Sequence, residues 1–168
     1  MAIVTTASAG MRAAGRATIL QLRAPQSTAG VVEKEASELV PTSPVPVVVS
    51  SRCDIALAAG AAGVNLPESD IPVEAARSLI GERLVGRSVH SLDGALRAEN
   101  EGADFVIFGP VWASVSHPGS APVGVAALAE VVRAVGIPVL AIGGVTEERI
   151  AACRDAGAAG YAAIGLFE

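Results

Sequence analysis

Eight short apolar runs alternate with helical patterns along this 168-residue sequence, and that alternation limits the possible fold more than any other feature. Each run has the length and the Val, Ile and Leu content of a strand buried on both faces, as in parallel sheets covered by helices. We predict the strands at Ile3–Thr5, Thr18–Leu22, Val45–Val49, Gly63–Leu66, Leu84–Val89, Phe105–Phe108, Val139–Ile142 and Tyr161–Ile164.

The clearest helices lie between these runs. In Val125–Val135, apolar residues recur at i, i+3, i+4 and i+7, which is the pattern of a helix packed on a sheet. Glycine-containing segments such as Gly60–Gly63 and Gly157–Gly160 separate a helix from the next strand. We predict helices at Val73–Ile80, Leu92–Asn100, Val125–Val135 and Glu147–Ala156.

Eight strand–helix units without a long linker predict one α/β domain over residues 1–168, a (β/α)8 or TIM barrel. The alternation alone leaves a doubly wound sheet open as an alternative. The sequence ends at Glu168, directly after the eighth strand, so we predict a barrel that lacks its final helix. The helix between Ala7 and Arg16 is also short, and a thinly covered flank of this kind favours a homo-oligomer.

Composition excludes several classes of partner. The chain is 51% hydrophobic with a mean hydropathy of +0.51, but no apolar run approaches the roughly 18–20 residues of a membrane span. Its net charge is −5, with acidic and basic residues mixed, which argues against nucleic acid. Cys53 and Cys153 lack metal-ligand spacing and are expected to be buried. Without a secretory pattern at the N-terminus, we expect a cytoplasmic protein.

The segment Val139–Val145 is the strongest candidate for a binding site. It is an apolar strand that stops at Gly143 and Gly144 and leads into a helical pattern at Thr146. Paired glycines allow close approach of the backbone, and the N–H groups that follow suit a phosphate. A tight turn without a ligand is the alternative reading of the same residues.

Polar residues also follow the other strands, where a barrel gathers its ligand site. Gln21 and Arg23 lie two residues apart, so their side chains point the same way, as do Ser88 and His90. Strand four leads to Asp70, which is either a site residue or the cap of the next helix. The loop after strand six contains Trp112, Ser114, Ser116 and His117. A solvated turn is one reading of these residues, and we predict that Ser114 and His117 contact a ligand.

Several of these motifs, taken in order, resemble the thiamine phosphate synthase and TenI family. They are Gln21–Arg23, Ser88–Ser91, Gly102–Pro110, Ala141–Gly144 and Gly157–Gly160. The resemblance runs from about residue 3 to the C-terminus, and Gly86–Leu92 and Leu66–Pro67 look closer to the TenI-type thiazole tautomerases.

This resemblance implies a barrel that binds a small thiazole phosphate, with the phosphate on the glycine turns at Gly143, Gly144 and Gly165. It implies that Gln21, Arg23, Asp70 and Ser88 bind substrate. The synthases join a pyrimidine methyl pyrophosphate to the thiazole phosphate and expel pyrophosphate with the help of Mg²⁺. The tautomerases move one proton on the thiazole and require no cofactor.

The sequence departs from both patterns. Pro25 and His117 stand where the synthases have lysines, and Ser50-Ser51 replaces an Asn-Asp pair. Loss of cations and of a metal-binding carboxylate lowers the rate of pyrophosphate departure by several powers of ten. The histidine of the tautomerases is Pro110 here, so we predict His117, in the same loop, as the catalytic acid–base residue.

Three functions stay open. The first is a thiazole tautomerase that uses His117 and also His90. The second is a regulatory protein that binds the phosphate without catalysis. The third is a synthase in which Arg52, Arg87 and Asp70 take over the missing roles.

Overall fold

The computed structural model describes residues 1–114, 119 and 121–167. Within them, eight parallel strands form one sheet in the order β1 to β8. The strands are β1 Ala2–Val4, β2 Leu20–Leu22, β3 Val47–Ser50, β4 Gly63–Leu66, β5 Leu84–Val89, β6 Phe105–Phe108, β7 Val139–Ile142 and β8 Gly160–Ala162.

The sheet closes on itself between β8 and β1. Ala2 and Ala163 form a parallel bridge. The amide of Ile3 donates to the carbonyl of Ala163 at 2.9 Å, and the amide of Ala163 donates to the carbonyl of Met1 at 3.2 Å. The predicted (β/α)8 barrel is therefore confirmed, and the doubly wound sheet is excluded.

Helices follow each of the first seven strands. They are α1 Ala7–Ala13, α2 Ala29–Leu39, α3 Cys53–Ala59, α4 Val73–Ile80, α5 Leu92–Asn100, α6 Gly124–Ala134 and α7 Ile150–Asp155. After β8, the described chain forms only a 3-10 turn at Gly165–Phe167, so the eighth helix of a full barrel is absent from the described residues, as predicted.

Four predicted strands, β4 to β7, have the predicted bounds, whereas the others differ at their ends. β1 stops before Thr5 because the next residue caps α1: the Thr6 hydroxyl accepts from the amide of Ala9 at 3.2 Å. β3 begins only after Pro46, whose nitrogen has no proton for a ladder. Two further differences have no cause that the contacts explain. β2 begins at Leu20 rather than Thr18, and β8 spans Gly160–Ala162 rather than Tyr161–Ile164.

The helix predicted at Glu147–Ala156 is two elements. Glu147–Arg149 is a 3-10 turn, and the α-helix begins only at Ile150. The glycine turn therefore leads into a short 3-10 segment rather than directly into an α-helix. The helix predicted at Val125–Val135 is shifted by one residue, to Gly124–Ala134.

Alternate residues of each strand supply two separate cores. Outward side chains such as Val64, Leu66 and Phe108 pack against the helices. Inward side chains fill the barrel, and its apolar centre contains Ile3, Val48, Phe105, Ile107 and Ala162. Because this inner core is apolar, the inward polar residues nearer the carboxyl ends of the strands stand out.

Both cysteines are buried, as predicted. Burial raises the pKa of the Cys53 thiol and of the Cys153 thiol, so both are protonated at neutral pH. In the described part of the chain, no helix is both long and apolar enough to cross a membrane.

Candidate functional site

A polar layer lies inside the barrel near the carboxyl ends of β2, β4 and β5. Gln21 and Asn65 are each only 2% exposed. The Asn65 side-chain amide donates to the hydroxyl of Ser88 across two neighbouring strands at 3.0 Å. Gln21 Oε1 and Asn65 Oδ1 have no hydrogen-bond partner among the described residues. Because buried oxygens without a donor are costly, this layer suits a ligand that supplies donors.

Arg23 lies two residues after Gln21, at the mouth of the barrel. Strand alternation places it on the inward side, like Gln21, and it is half-buried. No hydrogen bond or ion pair joins its guanidinium to another described residue. Arg23 is therefore a cation that the described protein leaves available to an anion at the mouth.

The loop after β4 holds Asp70 next to the site but in a different role from a helix cap. Asp70 Oδ1 accepts a hydrogen bond from the amide of Ile71 at 2.8 Å, whereas α4 begins after Pro72 without a side-chain cap. The first amide of α4, that of Val73, instead donates to Glu101 at 3.1 Å. One oxygen of Asp70 therefore stays available.

Arg87 is not available to a ligand, which corrects the idea that it could replace a missing lysine. It is 9% exposed, and it donates to the carbonyl oxygens of Ile71 at 2.8 Å and of Glu68 at 3.1 Å. Arg87 lies on the outward face of β5, and its hydrogen bonds hold the loop after β4 in position. Arg52 is also engaged: it pairs with Asp54 at 2.5 Å and lowers the pKa of that carboxyl to about 2.

The turn after β3 contains a strained residue that the sequence did not reveal. Ser51 has a φ of +65°, which costs a residue with a side chain roughly 1–2 kcal/mol. The amide of Arg52 donates to the carbonyl of Ser50 at 2.8 Å, and that of Ser51 donates to the carbonyl of Asn65 at 3.1 Å. This tight turn lies beside the polar layer, and nothing in the letters Ser-Ser-Arg indicates it.

The turn after β7 presents unpaired backbone donors. Gly143 and Gly144 have φ of +92° and +62°. The amides of Gly143, Gly144 and Val145 donate no hydrogen bond to another described residue. Successive free amides of this kind form a concavity that suits an anion. Gly165, the third predicted phosphate contact, is exposed and follows the neighbouring strand β8.

The two glycines are also required by the loop after β6. A Cβ on Gly143 would lie 2.5 Å from Pro110, and one on Gly144 would lie 2.5 Å from the carbonyl oxygen of Ala113. The amide of Trp112 donates to the carbonyl of Gly143 at 3.0 Å. Contact with this loop, rather than with a ligand, accounts for the absence of side chains here, while the amides stay free.

His90 occupies a defined position on the same edge. Its Nδ1 is in hydrogen-bond contact with the carbonyl oxygen of Gly109, so in the neutral ring Nδ1 holds the proton and Nε2 is the base. Nε2 lies 3.9 Å from a carboxylate oxygen of Glu68. The helix start that follows is capped by Ser91 rather than by His90.

The predicted catalytic residue, His117, lies outside the described residues, as does Ser116. Ser114, in the same loop, is half-buried and interacts with a neighbour. Of the predicted substrate-binding residues, Gln21 and Ser88 lie within their strands, and the others follow the carboxyl ends of strands, on the side where a barrel holds its ligand.

Comparisons with known proteins fit this geometry. The family model described as "Thiamine monophosphate synthase" matches residues 3–167. The chain belongs to this family. It is 40% identical over 154 residues to the thiamine-phosphate synthase of Chloroflexus aurantiacus, covering 89% of this chain and 71% of that protein. It is 44% identical over 154 residues to the thiamine-phosphate synthase of Anaeromyxobacter dehalogenans, covering 89% and 69%.

Solved structures agree with the family assignment. A thiamine phosphate pyrophosphorylase from Pyrococcus furiosus superimposes with a TM-score of 0.86 at 31% identity, over 94% of this chain and 78% of that one. A 3-hexulose-6-phosphate synthase, at 20% identity and a TM-score of 0.71, shares the fold alone.

The Mg²⁺ implied for the synthases is a cation that proteins usually hold with one or two carboxylates together with substrate phosphates. No group of three or more His, Cys, Asp or Glu that could hold a metal ion exists among the residues that the structure describes. Asp70 has one oxygen bound to an amide, and Ser51 offers no carboxylate. Asp70, with its second oxygen available, is the residue that would help to hold a magnesium ion brought by the diphosphate of a substrate.

Proposed function

We propose that this chain is a thiamine-phosphate synthase that binds a thiazole phosphate at the carboxyl ends of its strands. The observation that carries the proposal is the row of unpaired amides at Gly143–Val145, in a chain about 40% identical to proteins named thiamine-phosphate synthase. In a protein of net charge −5, local donors have to hold the anion.

The proposed reaction breaks a carbon–oxygen bond and forms a carbon–nitrogen bond. The electron pair of the broken bond leaves on pyrophosphate, and the thiazole nitrogen bonds to the methylene carbon of the pyrimidine. Arg23, which has no partner among the described residues, would stabilise the charge that develops on the leaving group. Gln21 Oε1 and Asn65 Oδ1 would accept hydrogen bonds from N–H groups of the pyrimidine substrate.

The test is product formation from pyrimidine methyl diphosphate and thiazole phosphate with Mg²⁺, followed by chromatography of thiamine phosphate. We expect R23Q to lower kcat/KM by roughly 10²–10³, the usual loss when one charge-stabilising donor is removed. R154Q, an exposed arginine on α7, makes the same charge change away from the site and serves as the control. A wild-type protein that forms no thiamine phosphate would refute the synthase.

A second function, a thiazole tautomerase, is favoured because two arginines that a synthase could use are already bound to other groups of the protein. Arg52 is paired with Asp54, Arg87 is bound to loop carbonyls, and Ser51 is not a carboxylate. Tautomerisation needs only one proton removed and one returned. His117 would be the acid–base residue, and the fixed ring of His90 offers a second base.

Incubation with each thiazole phosphate tautomer in deuterated water distinguishes the two activities. Exchange of a ring-adjacent proton, followed by NMR, supports the tautomerase, and H117A and H90A then identify the base. If H117A leaves exchange intact, His117 is not that base. Tight binding of thiazole phosphate with neither exchange nor product identifies a binding or regulatory protein.

A further inference from the structure

Arg149 joins the glycine turn to the loop after β6, and neither the family resemblance nor the proposed reaction assigns it a role. Its Nη1 donates to the carbonyl oxygen of Gly144 at 2.6 Å. The centre of its guanidinium lies 5.2 Å from the ring centroid of Trp112, within the range of a cation–π interaction. The Arg149 side chain therefore contacts both the glycine turn after β7 and the loop after β6.

The contacts of Arg149 leave most of its donors unused. A guanidinium has five N–H groups, and among the described residues only the Gly144 carbonyl accepts from this one. Arg149 is half-buried, so it is partly shielded from water. A Cβ added to Gly144 would lie 3.3 Å from Nη1 of Arg149, so the guanidinium lies directly against the glycine turn.

The acidic residues beside Arg149 make its positive charge important for the binding of an anion. Glu147 and Glu148 immediately precede Arg149, and both are exposed. Glu147 is only weakly offset by Arg16, at 3.5 Å. Between Gly143 and Ile150, Arg149 is the one basic residue in the sequence. Without it, the only charged side chains in the segment that follows the free amides would be acidic.

We infer that Arg149 is a positioning residue for the phosphate: it fixes the Gly143–Val145 turn and supplies the positive charge beside it. Its hydrogen bond orients the Gly144 carbonyl away from the anion, and its stacking on Trp112 ties the turn to the loop after β6. This inference rests on the proposed thiazole phosphate site and identifies the group that makes the site selective for a phosphorylated ligand.

Trp112 gives a direct signal, since it is the only tryptophan in the chain. Titration of the wild-type protein with thiazole phosphate should change the fluorescence of Trp112, because its ring contacts the arginine beside the anion. The unphosphorylated thiazole alcohol should produce little change. A phosphate complex that leaves the fluorescence unaltered would contradict the link between Arg149, Trp112 and the turn.

The decisive comparison uses calorimetry on R149M, R149K and the charge-matched control R154M. We expect R149M to weaken binding of thiazole phosphate roughly tenfold, the effect of one charged hydrogen bond, and to change binding of the alcohol less than about twofold. R149K, which keeps the charge, should fall between R149M and wild type. R154M should bind both ligands like wild type.

Each outcome decides a different question. Wild-type protein that does not bind thiazole phosphate overturns the proposed function and this inference with it. Wild-type binding with unchanged affinity in R149M overturns only the inference. Equal weakening of phosphate and alcohol in R149M identifies a structural role alone, and R149K binding no better than R149M rules out a contribution of the charge. Circular dichroism on each variant checks that it is folded.

Discussion

Asn65 donates to Ser88 at 3.0 Å across β4 and β5, while its own carbonyl oxygen stays buried without a partner. The pair therefore satisfies one end of the Asn65 amide and leaves the other end unpaired. A buried polar atom without a partner costs about 1–3 kcal/mol in a folded protein. Because the fold keeps this oxygen unpaired near the mouth of the barrel at such a cost, it suggests a ligand that donates a hydrogen bond to the oxygen.

The first prediction concerns N65L, which replaces this amide with an apolar side chain of similar size. We expect the free energy of unfolding to rise by about 1 kcal/mol, because the unpaired oxygen is removed. We expect ligand affinity to fall at the same time. Urea unfolding and calorimetry with pyrimidine methyl diphosphate, the substrate with N–H donors, measure the two effects.

S88A is the matched control for N65L, since it removes the hydroxyl that accepts from Asn65 but leaves the buried oxygen in place. It should not stabilise the protein. If N65L is less stable than wild type and binds pyrimidine methyl diphosphate normally, then the Asn65 oxygen has no role toward a ligand.

The second prediction concerns a helix start that is capped from another helix. The amide of Ala7, the first residue of α1, donates to Glu35 of α2 at 2.5 Å. Loss of an acceptor at a helix N-terminus costs about 1 kcal/mol, so E35A should lower the free energy of unfolding by about that amount. E38A, three residues along the same helix, removes only an exposed pair with Lys34 at 3.9 Å. Such pairs contribute less than about 1 kcal/mol, so an equal loss in both variants in urea unfolding would contradict the capping role.

The sequence was sufficient for the barrel because its strands are short and clearly bounded. β4 to β7 lie between segments of glycine, proline or charged residues, so their ends are visible in the letters. Inward and outward residues of the strands followed from simple alternation, as for buried Gln21 between the outward Leu20 and Leu22. The ends of β2 and β8 did not follow, and no contact in the structure explains them.

Parts of the site could not be predicted because they depend on contacts distant in sequence. Asn65 is an exception, because it is the one polar residue in the apolar strand β4. That position in the sequence could have identified it as a site residue. Arg87 looked like an available cation, yet alternation puts it on the outward face, where the loop after β4 supplies three carbonyls. Arg149 read as an ordinary helix residue, and only the fold brings it to Gly144 and Trp112.

The third prediction concerns pH. The hydrogen bond that Arg52 donates to Asp54 lowers the pKa of this carboxyl from its ordinary value of 3.8 to about 2. A depressed carboxyl pKa stabilises the fold above the unfolded value, and that stability is lost as the pH falls through the folded value. The difference in unfolding midpoint between wild type and D54N should therefore be present at pH 5 and disappear as the pH falls from about 4 to 2. Because Asp54 is 66% exposed, the difference should be small. A difference that persists below pH 2 would show that it does not come from this ion pair.

The fourth prediction separates stability from binding by comparing the two ends of the barrel. Arg77 of α4 lies at the end opposite the candidate site, where it donates to the carbonyls of Gly81, Arg83 and Gly102 and to Asp104 at 2.6 Å. Asp104 in turn accepts from the amide of Val85, the second residue of β5, at 2.7 Å. This network ties the entries of β5 and β6 together, and residues at this end of a barrel contribute to stability rather than to chemistry.

R77M should therefore lower the free energy of unfolding by about 1–2 kcal/mol, since two partly buried acceptors and two exposed ones lose a charged donor. It should leave the affinity for thiazole phosphate within about twofold of wild type, because no ligand group reaches this end of the barrel. Urea unfolding and calorimetry on the same preparation give both numbers, with R133M, an exposed arginine on α6, as the control for lost charge. A tenfold loss of affinity in a folded R77M would mean that the two ends of the barrel are coupled, and the ligand site would then extend beyond the strand ends assigned to it.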